Sequence, residues 1–309
     1  MSISAIDLFC GAGGISQGME ACGANVVAGF DNDQSSLDTF QKNHPNSVSY
    51  LTDLGRDIPN IGTFSGIDLV VGGPPCQGYS ISGKRDPKDI RNQLYRAYFK
   101  ILSSLKPKVF ILENVPNMIS MDNGRFKEAV LNTLGALGYK ICVQIITASE
   151  FGVPQNRRRV FFFGSKDQHF ELEKTQGSKI VSCRDAISDL PDFDLDSGAS
   201  YVKEPSSAYQ KKIRKGSRGV WNHVLTNHSD QTKEIISLVP DGGNYKDLPS
   251  KLQHTRKVNI AWTRFSSSKP SFTIDTGHRH HFHYKYNRVP TVRESARLQS
   301  FPDSFIFVG

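Results

Sequence analysis

Short apolar segments alternate with amphipathic segments through the first 165 residues, and this alternation restricts the chain to few folds. Apolar runs predict strands over 5–9, 25–30, 48–51, 68–71, 109–112, 141–147 and 159–163. Helical periodicity predicts helices from the glycine turn at 11–14 to about 22, and over 34–42, 91–105 and 126–137. Because strands separated by helices pair in parallel, the pattern predicts a doubly wound α/β sheet that binds ligands at the carboxyl ends of its strands.

Beyond about residue 170 this alternation ends. Residues 165–290 are rich in Ser, Gly, Asp, Lys and His and contain short mixed segments, and a last helix is predicted over 292–299. A chain of 309 residues is long enough for two domains. We therefore predict a first domain over 1–170, completed by about 288–309, and a smaller, loop-rich second domain over 171–287.

The basic residues are concentrated in the C-terminal third of the chain. Residues 201–309 contain 18 Lys and Arg against 8 Asp and Glu, a net charge of +10, whereas the whole chain carries +8 and residues 1–200 therefore carry −2. Seven of the nine histidines lie in the same third. Such asymmetry favours a polyanion-binding region over a basic surface that serves solubility alone.

Composition argues against several classes of protein. No apolar stretch reaches the roughly 20 residues that span a bilayer, and the N-terminus lacks the basic region of a signal peptide. The five cysteines are scattered and form no C-x-x-C pair, which argues against a disulfide framework and against a cysteine-based zinc site. We expect a cytoplasmic protein in a reducing compartment.

One cysteine lies in a turn that would hold it rigidly. Residues 72–78 read Gly-Gly-Pro-Pro-Cys-Gln-Gly and follow a predicted strand. Because Pro74 and Pro75 restrict the backbone, the turn fixes the position of the Cys76 thiol. This predicts a nucleophilic cysteine, with a buried structural cysteine as the alternative. The sequence lacks the surroundings of a papain-type nucleophile and the paired motifs of a zinc deaminase.

A glycine turn follows the first predicted strand. Gly11 and Gly13 open a helix, and such a turn suits a nucleotide-like ligand that approaches the backbone. Ser16 breaks the dinucleotide pattern G-x-G-x-x-G, which disfavours an enzyme that uses NAD or FAD. Asp31 closes the second strand, where its carboxylate could accept hydrogen bonds from ribose hydroxyls.

Acidic side chains at other strand ends should lie near the cysteine. Asp31, Asp53, Cys76 and Glu113 all fall at the carboxyl ends of predicted strands, which share one edge of a parallel sheet. A carboxylic acid beside a thiolate suits protonation of a heterocycle nitrogen, or a hydrogen bond to it. The alternative is that Glu113 caps the helix that follows.

Three consecutive arginines precede the strand predicted over 159–163. Strand alternation would put Arg157 and Arg159 on one face and Arg158 on the other. Two guanidinium groups on one face could clamp a phosphate or a carbonyl group, and the alternative is a solvated basic run.

In their order and spacing these motifs resemble one family, the cytosine-C5 DNA methyltransferases. The matching segments are 7–14 (Asp-Leu-Phe-Cys-Gly-Ala-Gly-Gly), 73–80 (Gly-Pro-Pro-Cys-Gln-Gly-Tyr-Ser), 113–115 (Glu-Asn-Val), 155–159 (Gln-Asn-Arg-Arg-Arg) and 293–303 (Arg-Glu-Ser-Ala-Arg-Leu-Gln-Ser-Phe-Pro-Asp). Five ordered motifs make the resemblance specific, although the region between about 170 and 270 is unmatched. It implies a Rossmann-like, S-adenosylmethionine-dependent catalytic domain over 1–170 and a target-recognition domain over 171–287.

The resemblance implies S-adenosylmethionine as the cofactor and S-adenosylhomocysteine as its product. Phe9, Gly11 and Gly13 would cradle the cofactor, while Asp31 would hold its ribose and Asp53 its adenine. The other positions that match the family's cofactor site are Asn32, Leu54 and Pro74.

The resemblance also implies a reaction. Cys76 would attack C6 of a flipped cytosine, and Glu113 would engage N3 and the exocyclic amine, which makes C5 nucleophilic enough to take the methyl group. Loss of the C5 proton and expulsion of the thiolate would restore the aromatic ring. Arg157 and Arg159 would steady the flipped base and its phosphate.

Double-stranded DNA, bound by a monomer, is the partner that the resemblance implies. Residues 77–94 match the family's mobile catalytic loop, and the residues expected there on the DNA are Gln77, Ser80, Ser82, Lys84 and Arg91. In the unmatched region we expect DNA contacts from Thr273 and from 277–286, which includes Arg279. The histidines at 278, 280, 281 and 283 could instead bind a metal, but no acidic partner lies close in sequence, and we expect no metal site.

The family usually continues after the Phe-Pro-Asp of 301–303 with a Gly-Asn-Ser/Ala-Val-type segment that completes the cofactor pocket, and this sequence ends at Gly309 without it. Three alternatives are open: the polypeptide was cut, a second chain supplies the segment, or the cofactor pocket is incomplete. The main hypothesis is a bacterial, nucleoid-associated DNA methyltransferase of a restriction–modification system. The alternatives are a methyltransferase that acts on tRNA and a DNA-binding module with a degenerate pocket.

Overall fold

The computed structural model describes residues 2–75, 90–169, 179–253, 262–275 and 281–308, with the backbone alone at 90–92. The chain divides into two compact units. The first comprises Met1–Ile146, Arg158–Glu173 and Val308–Gly309, and the second comprises Thr147–Arg157 and Lys174–Phe307. This division differs from the predicted domain boundaries, because 147–157 and 288–307 group with the second unit.

A seven-stranded sheet forms the centre of the first unit. Its strands are β1 (Ser4–Leu8), β2 (Asn25–Asp31), β3 (Val48–Leu51), β4 (Leu69–Gly72), β5 (Val109–Asn114), β6 (Lys140–Thr147) and β7 (Arg158–Ser165). They lie in the order β3-β2-β1-β4-β5-β7-β6. Because β1 to β5 pair in parallel with one another, the carboxyl ends of these five strands share one edge. The predicted doubly wound α/β fold is confirmed.

The parallel pairing predicted for strands separated by helices does not extend to β7, which runs antiparallel to β5. The connection before β7 is the short segment 148–157, which contains a 3₁₀ turn (Ala148–Phe151) and no crossover helix. A parallel return needs a crossover of a dozen or more residues. In the resulting register Val160 pairs with Asn114, so the start of β7 lies beside the carboxyl end of β5.

Among the described residues of the first unit, four helices accompany the sheet: α1 (Gly14–Ala21), α2 (Gln34–Asn43), α3 (Ile90–Leu105) and α4 (Arg125–Ala136). The start of α2 is fixed by Asp33, whose side chain accepts a hydrogen bond of 2.7 Å from the backbone N–H of Ser36. Large side chains such as Phe30, Tyr98 and Phe110 are fully buried against the sheet. This core holds the strand ends in fixed positions.

The second unit contains short helices and little sheet. Its elements are α5 (Cys183–Ile187), α6 (Ala208–Ile213), α7 (Asp230–Ser237), α8 (Ser250–Gln253), β8 (Thr263–Arg264), β9 (His281–Phe282) and α9 (Val292–Leu298). A capping box formed by Thr291 and Glu294 begins α9. Arginine side chains are buried here beside two apolar clusters.

Within the described ranges, no helix is both long enough and apolar enough to cross a membrane.

Candidate active site

The glycine turn after β1 is held in place by the carboxylate that ends β2. The backbone of Phe9, Gly11 and Gly13 is left-handed, with φ of 60°, 52° and 92°. Asp31 accepts a hydrogen bond of 2.8 Å from the Gly11 N–H at Oδ2, and one of 3.0 Å from the Asp33 N–H at Oδ1. A left-handed backbone favours glycine at 11 and 13, and the half-exposed Asp31 couples this turn to the next strand.

The two glycines of the turn face different surroundings. A Cβ atom on Gly13 would lie 2.5 Å from Nε2 of His44, so glycine is required there by packing inside the protein. A Cβ atom on Gly11 would meet nothing within 4 Å, which leaves open space in front of that residue. The Gly11 side of the turn therefore fits the approach of a nucleoside ligand, while Gly13 makes room for His44.

The remaining residues predicted at the cofactor differ in their exposure. Asp53 lies two residues beyond β3, where it accepts a hydrogen bond of 3.0 Å from the Gly55 N–H and pairs with Arg56 at 3.2 Å. Asn32 is exposed, whereas Leu54 is 3% exposed and belongs to the apolar core. Leu54 therefore offers little surface to a ligand, and its predicted contact with the cofactor stays a prediction.

Glu113 and Arg159 form an ion pair at the carboxyl end of β5. The distance from Arg159 Nε to Glu113 Oε1 is 2.8 Å, and both side chains remain about one-fifth exposed, at 19% and 21%. The antiparallel register of β7 brings the guanidinium to this position. The alternative that Glu113 caps the following helix is not met, because the 3₁₀ segment Pro116–Gly124 starts after Val115 without a side-chain cap.

The turn that leads to Cys76 is tied to the end of β5. The Glu113 Oε2 atom lies 3.0 Å from the place that a Cβ atom of Gly73 would occupy. Asn114 donates a hydrogen bond of 2.8 Å to the Pro74 carbonyl and one of 2.6 Å to the Tyr95 hydroxyl. Asn114 and Tyr95 thus position the Gly-Gly-Pro-Pro turn, a role that sequence patterns did not indicate because it depends on contacts between distant segments.

Several predicted site residues lie outside the described part of the chain. These are Cys76, Gln77, Ser80, Ser82, Lys84 and Arg279, together with the side chain of Arg91. Their roles therefore stay predictions. Arg157 is described and belongs to the second unit, where its carbonyl accepts a hydrogen bond of 2.9 Å from the Ala148 N–H. Because β7 begins at Arg158, strand alternation does not apply to Arg157.

Much of the charge in the C-terminal third has a structural role. Arg264, Arg288, Arg293 and Arg297 are at most 5% exposed, and each is hydrogen-bonded to carbonyl or carboxylate oxygens. The count of basic residues alone therefore overstates the basic surface. At the same time Lys285 is exposed and lines a cavity of about 700 Å³ together with Phe193, Lys233 and Tyr286.

Two further predictions concern the same region. Thr273, expected on DNA, is half-buried, and its hydroxyl donates a hydrogen bond of 3.4 Å to the Asn156 carbonyl. Of the four clustered histidines, His278 and His280 lie outside the described residues. His283 is buried, and its burial lowers its pKa to about 4. Within the described residues no group of three potential metal ligands is found.

A sheet of this order, with a glycine turn after β1 and an acidic residue closing β2, belongs to the class of Rossmann-like, nucleotide-binding α/β folds. Comparison with known families narrows that class. The family model for C-5 cytosine-specific DNA methylases matches residues 3–309. The chain therefore belongs to the family of C-5 cytosine-specific DNA methylases, and the predicted DNA cytosine-C5 methyltransferase is confirmed over the RNA alternative.

Individual relatives agree with this assignment. The type II methyltransferase M.DdeI of Desulfomicrobium norvegicum is 35% identical, over 98% of this chain and 80% of the relative. The type II methyltransferase M1.HphI of Haemophilus parahaemolyticus is 33% identical, over 100% of this chain and 80% of the relative. A crystal structure from E. coli, described as a prophage-encoded DNA modification methyltransferase, matches with a TM-score of 0.80 and 28% identity, over 99% of this chain and 91% of that one.

Proposed function

We propose that this chain methylates C5 of a cytosine within a specific duplex DNA site, as the modification enzyme of a type II restriction–modification system. The two relatives named above are type II methyltransferases that span this chain almost completely, which supports a sequence-specific target. We further propose that it acts as a monomer on DNA in the bacterial nucleoid. Sequencing of methylated genomic DNA from cells that express the protein tests the proposed sequence specificity, and scattered methylation without a common sequence would contradict that specificity.

The observation that carries the proposal is the position of the Glu113–Arg159 pair beside the turn that leads to Cys76. Arg159 occupies Oε1 of Glu113 at 2.8 Å, while Oε2 points toward Gly73, three residues before the cysteine. Arg159 thus anchors one carboxylate oxygen, and within the described ranges no cation pairs with the other, which we assign to a ligand. A carboxyl group held in this way suits recognition of N3 and the exocyclic amine of cytosine.

The reaction assigns one role to each group. The Cys76 sulfur forms a bond to C6 while Glu113 stabilises the added electron density through N3, so that C5 becomes the nucleophile. Bound S-adenosylmethionine supplies an electrophilic methyl group. Removal of the C5 proton then returns an electron pair to the ring, which breaks the bond between C6 and the Cys76 sulfur. Because the target atoms are inaccessible in a duplex, the cytosine must be flipped out first.

The residues of the first unit fit the cofactor. Gly11 faces open space, and each oxygen of Asp31 accepts one backbone N–H and retains capacity for a second hydrogen bond, such as one from a ribose hydroxyl. Phe9 is partly exposed beside the same turn, where an aromatic face suits an adenine ring. We propose that these residues, with the backbone near Asp53, hold S-adenosylmethionine.

The nucleophile is tested by covalent trapping. Duplex DNA that contains 5-fluorocytosine blocks removal of the C5 substituent, so the wild-type protein should form a DNA adduct that survives denaturing electrophoresis in the presence of S-adenosylmethionine. Cys76→Ala should abolish both the adduct and methyl transfer while it retains binding to DNA. The control is Cys22→Ala, which changes an exposed cysteine at the end of α1. An adduct formed by Cys76→Ala would refute Cys76 as the nucleophile. Methyl incorporation into tRNA but not into DNA would refute duplex DNA as the substrate.

A further inference from the structure

The carboxyl group of Asp7 is buried in the strand that leads to the glycine turn. Asp7 lies in β1 and is 0% exposed. Its Oδ2 atom accepts a hydrogen bond of 2.6 Å from the Ser16 hydroxyl, whereas Oδ1 has no hydrogen-bond partner among the described residues. Burial of an unpaired carboxylate is costly, so this group should exist in its neutral form more readily than a surface aspartate does.

Asp31, at the end of β2, reinforces this effect, because its negative charge raises the pKa of Asp7 further. Cys10 of the glycine turn and Tyr98 of α3 also face Asp7, but burial raises the pKa of both groups, so they stay neutral near pH 7 and add no charge beside it. In the described part of the chain no lysine, arginine or histidine forms an ion pair with it. Burial is the largest cause of its raised pKa, which reaches about 7, while the hydrogen bonds from Ser16 act in the opposite direction.

The position of Asp7 couples this proton to the cofactor turn. Ser16 is the third residue of α1, whose N-cap is Gly13, so the Asp7–Ser16 bond joins β1 to the first turn of that helix. Asp31, which acts electrostatically on Asp7, is also the residue that holds Gly11. A charged ligand that binds at this turn would therefore shift the equilibrium between the protonated and the ionised form of Asp7.

We propose that Asp7 is a proton-linked positioning residue: its carboxyl group is protonated in part of the free protein at neutral pH and loses that proton to solvent when a cationic cofactor occupies the glycine turn. The inference rests on the proposed binding of S-adenosylmethionine. The methyl donor carries a positive sulfonium, whereas the product left after methyl transfer is a neutral thioether. The donor should therefore favour ionised Asp7, and exchange of product for donor should release a proton.

The direction of the pH dependence follows from this linkage. At a pH well below the pKa of Asp7 in both complexes, its carboxyl group is protonated with either ligand, so it contributes no preference for the cation. Above about pH 8 it is ionised throughout and attracts the donor but not the product. The ratio of donor affinity to product affinity should therefore rise between these limits, by no more than about tenfold per pH unit.

Calorimetry of cofactor binding tests the inference. S-adenosylmethionine and S-adenosylhomocysteine are titrated into the full chain at pH 7 in phosphate and in Tris, and the difference in apparent enthalpy between the buffers gives the number of protons released. We expect more protons released with the donor than with the product. Asp7→Asn should abolish that difference. Asp68→Asn should preserve it, because Asp68 is paired with Lys108 and its pKa is held down at about 2.

Each result has a defined meaning. Equal proton release for the two ligands, or a difference that persists in Asp7→Asn, would overturn the inference while the proposed function stands. Failure of the wild-type protein to bind either ligand would overturn the proposed function and the inference with it. If Asp7→Asn does not fold, the donor-to-product affinity ratio of the wild-type protein between pH 6 and 8 decides the matter, because a constant ratio excludes the linkage.

Discussion

The side chains of Glu113 and Arg159 in the first unit are 21% and 19% exposed to solvent, whereas those of Arg297 and Asp303 in the second unit are fully buried. Both pairs lie in segments that match motifs of the family, and both join an arginine to a carboxylate. In the first pair Arg159 lies beside one carboxylate oxygen, and the described residues place no cation beside the other. In the second pair Arg297 donates to both oxygens of Asp303, and that carboxylate also accepts from the Tyr201 hydroxyl.

The difference shows that a motif of charged residues can serve the scaffold as well as the chemistry. Arg297 binds Asp189 in addition to Asp303, and Arg293 donates to the carbonyls of Trp221, Pro302 and Phe305. These bonds fasten α9 and the residues after it to the rest of the second unit. A group that acts on a ligand must keep some hydrogen-bonding capacity free, and this property separates Glu113 from Asp303.

The largest expected effect is a loss of catalysis when the partly exposed Glu113–Arg159 pair is changed. Glu113→Gln should lower the rate constant for methyl transfer by about 10²–10⁴-fold, because an amide cannot replace the carboxyl group at N3 of cytosine. The free energy of unfolding should change by less than about 1 kcal/mol, since the ion pair is partly exposed. Incorporation of labelled methyl groups and urea unfolding measure the two effects. Glu128→Gln, on the exposed face of α4, is the matched control, and wild-type activity in Glu113→Gln would show that the pair has no role in catalysis.

For the buried Arg297–Asp303 pair we expect a loss of stability instead. Arg297→Met keeps the length of the side chain but leaves Asp303 and Asp189 buried without this partner, which should cost about 3–5 kcal/mol of unfolding free energy. Urea denaturation followed by fluorescence measures this loss. Arg218→Met alters an exposed arginine and should change stability by less than about 0.5 kcal/mol. Equal stability of the two variants would mean that the buried network is not a stabilising element.

The sequence predicted the regular part of the first unit because its signals are local. β3 was predicted over 48–51 and is observed over Val48–Leu51, and the helix predicted over 91–105 is observed as Ile90–Leu105. Apolar runs bounded by polar residues determine such elements. The direction of β7 was missed, since pairing direction depends on the length of a connection and not on the composition of the strand.

The candidate site was predictable in part for a similar reason. Glu113 and Asp31 follow from their places at strand ends, and the parallel sheet brings those ends to one edge. The partners of these residues depend on contacts between distant segments. The bond from Asn114 to Pro74 spans 40 residues, and that from Tyr201 to Asp303 spans 102. No local pattern specifies such pairs, so the burial of Arg297 and the anchoring of the Cys76 turn became visible only in three dimensions.

The smallest expected effect concerns the cations of the second unit that remain at the surface. Lys285 is exposed, its Nζ atom lies 5.2 Å from the centre of the Tyr286 ring, and it falls within the stretch predicted to contact DNA. If it contacts a phosphate, Lys285→Ala should weaken binding to all duplexes by a similar factor and reduce the slope of log affinity against log salt concentration by about 0.9.

Titrations of a labelled duplex at several salt concentrations measure that slope. The control is Lys108→Ala, which removes an exposed lysine that is paired with Asp68 in the first unit and should leave the slope unchanged. A slope that stays constant in Lys285→Ala would assign this lysine to solubility alone. Lys285 would then join the four buried arginines as a basic residue that does not contact DNA. Recognition would depend more on uncharged contacts to the bases.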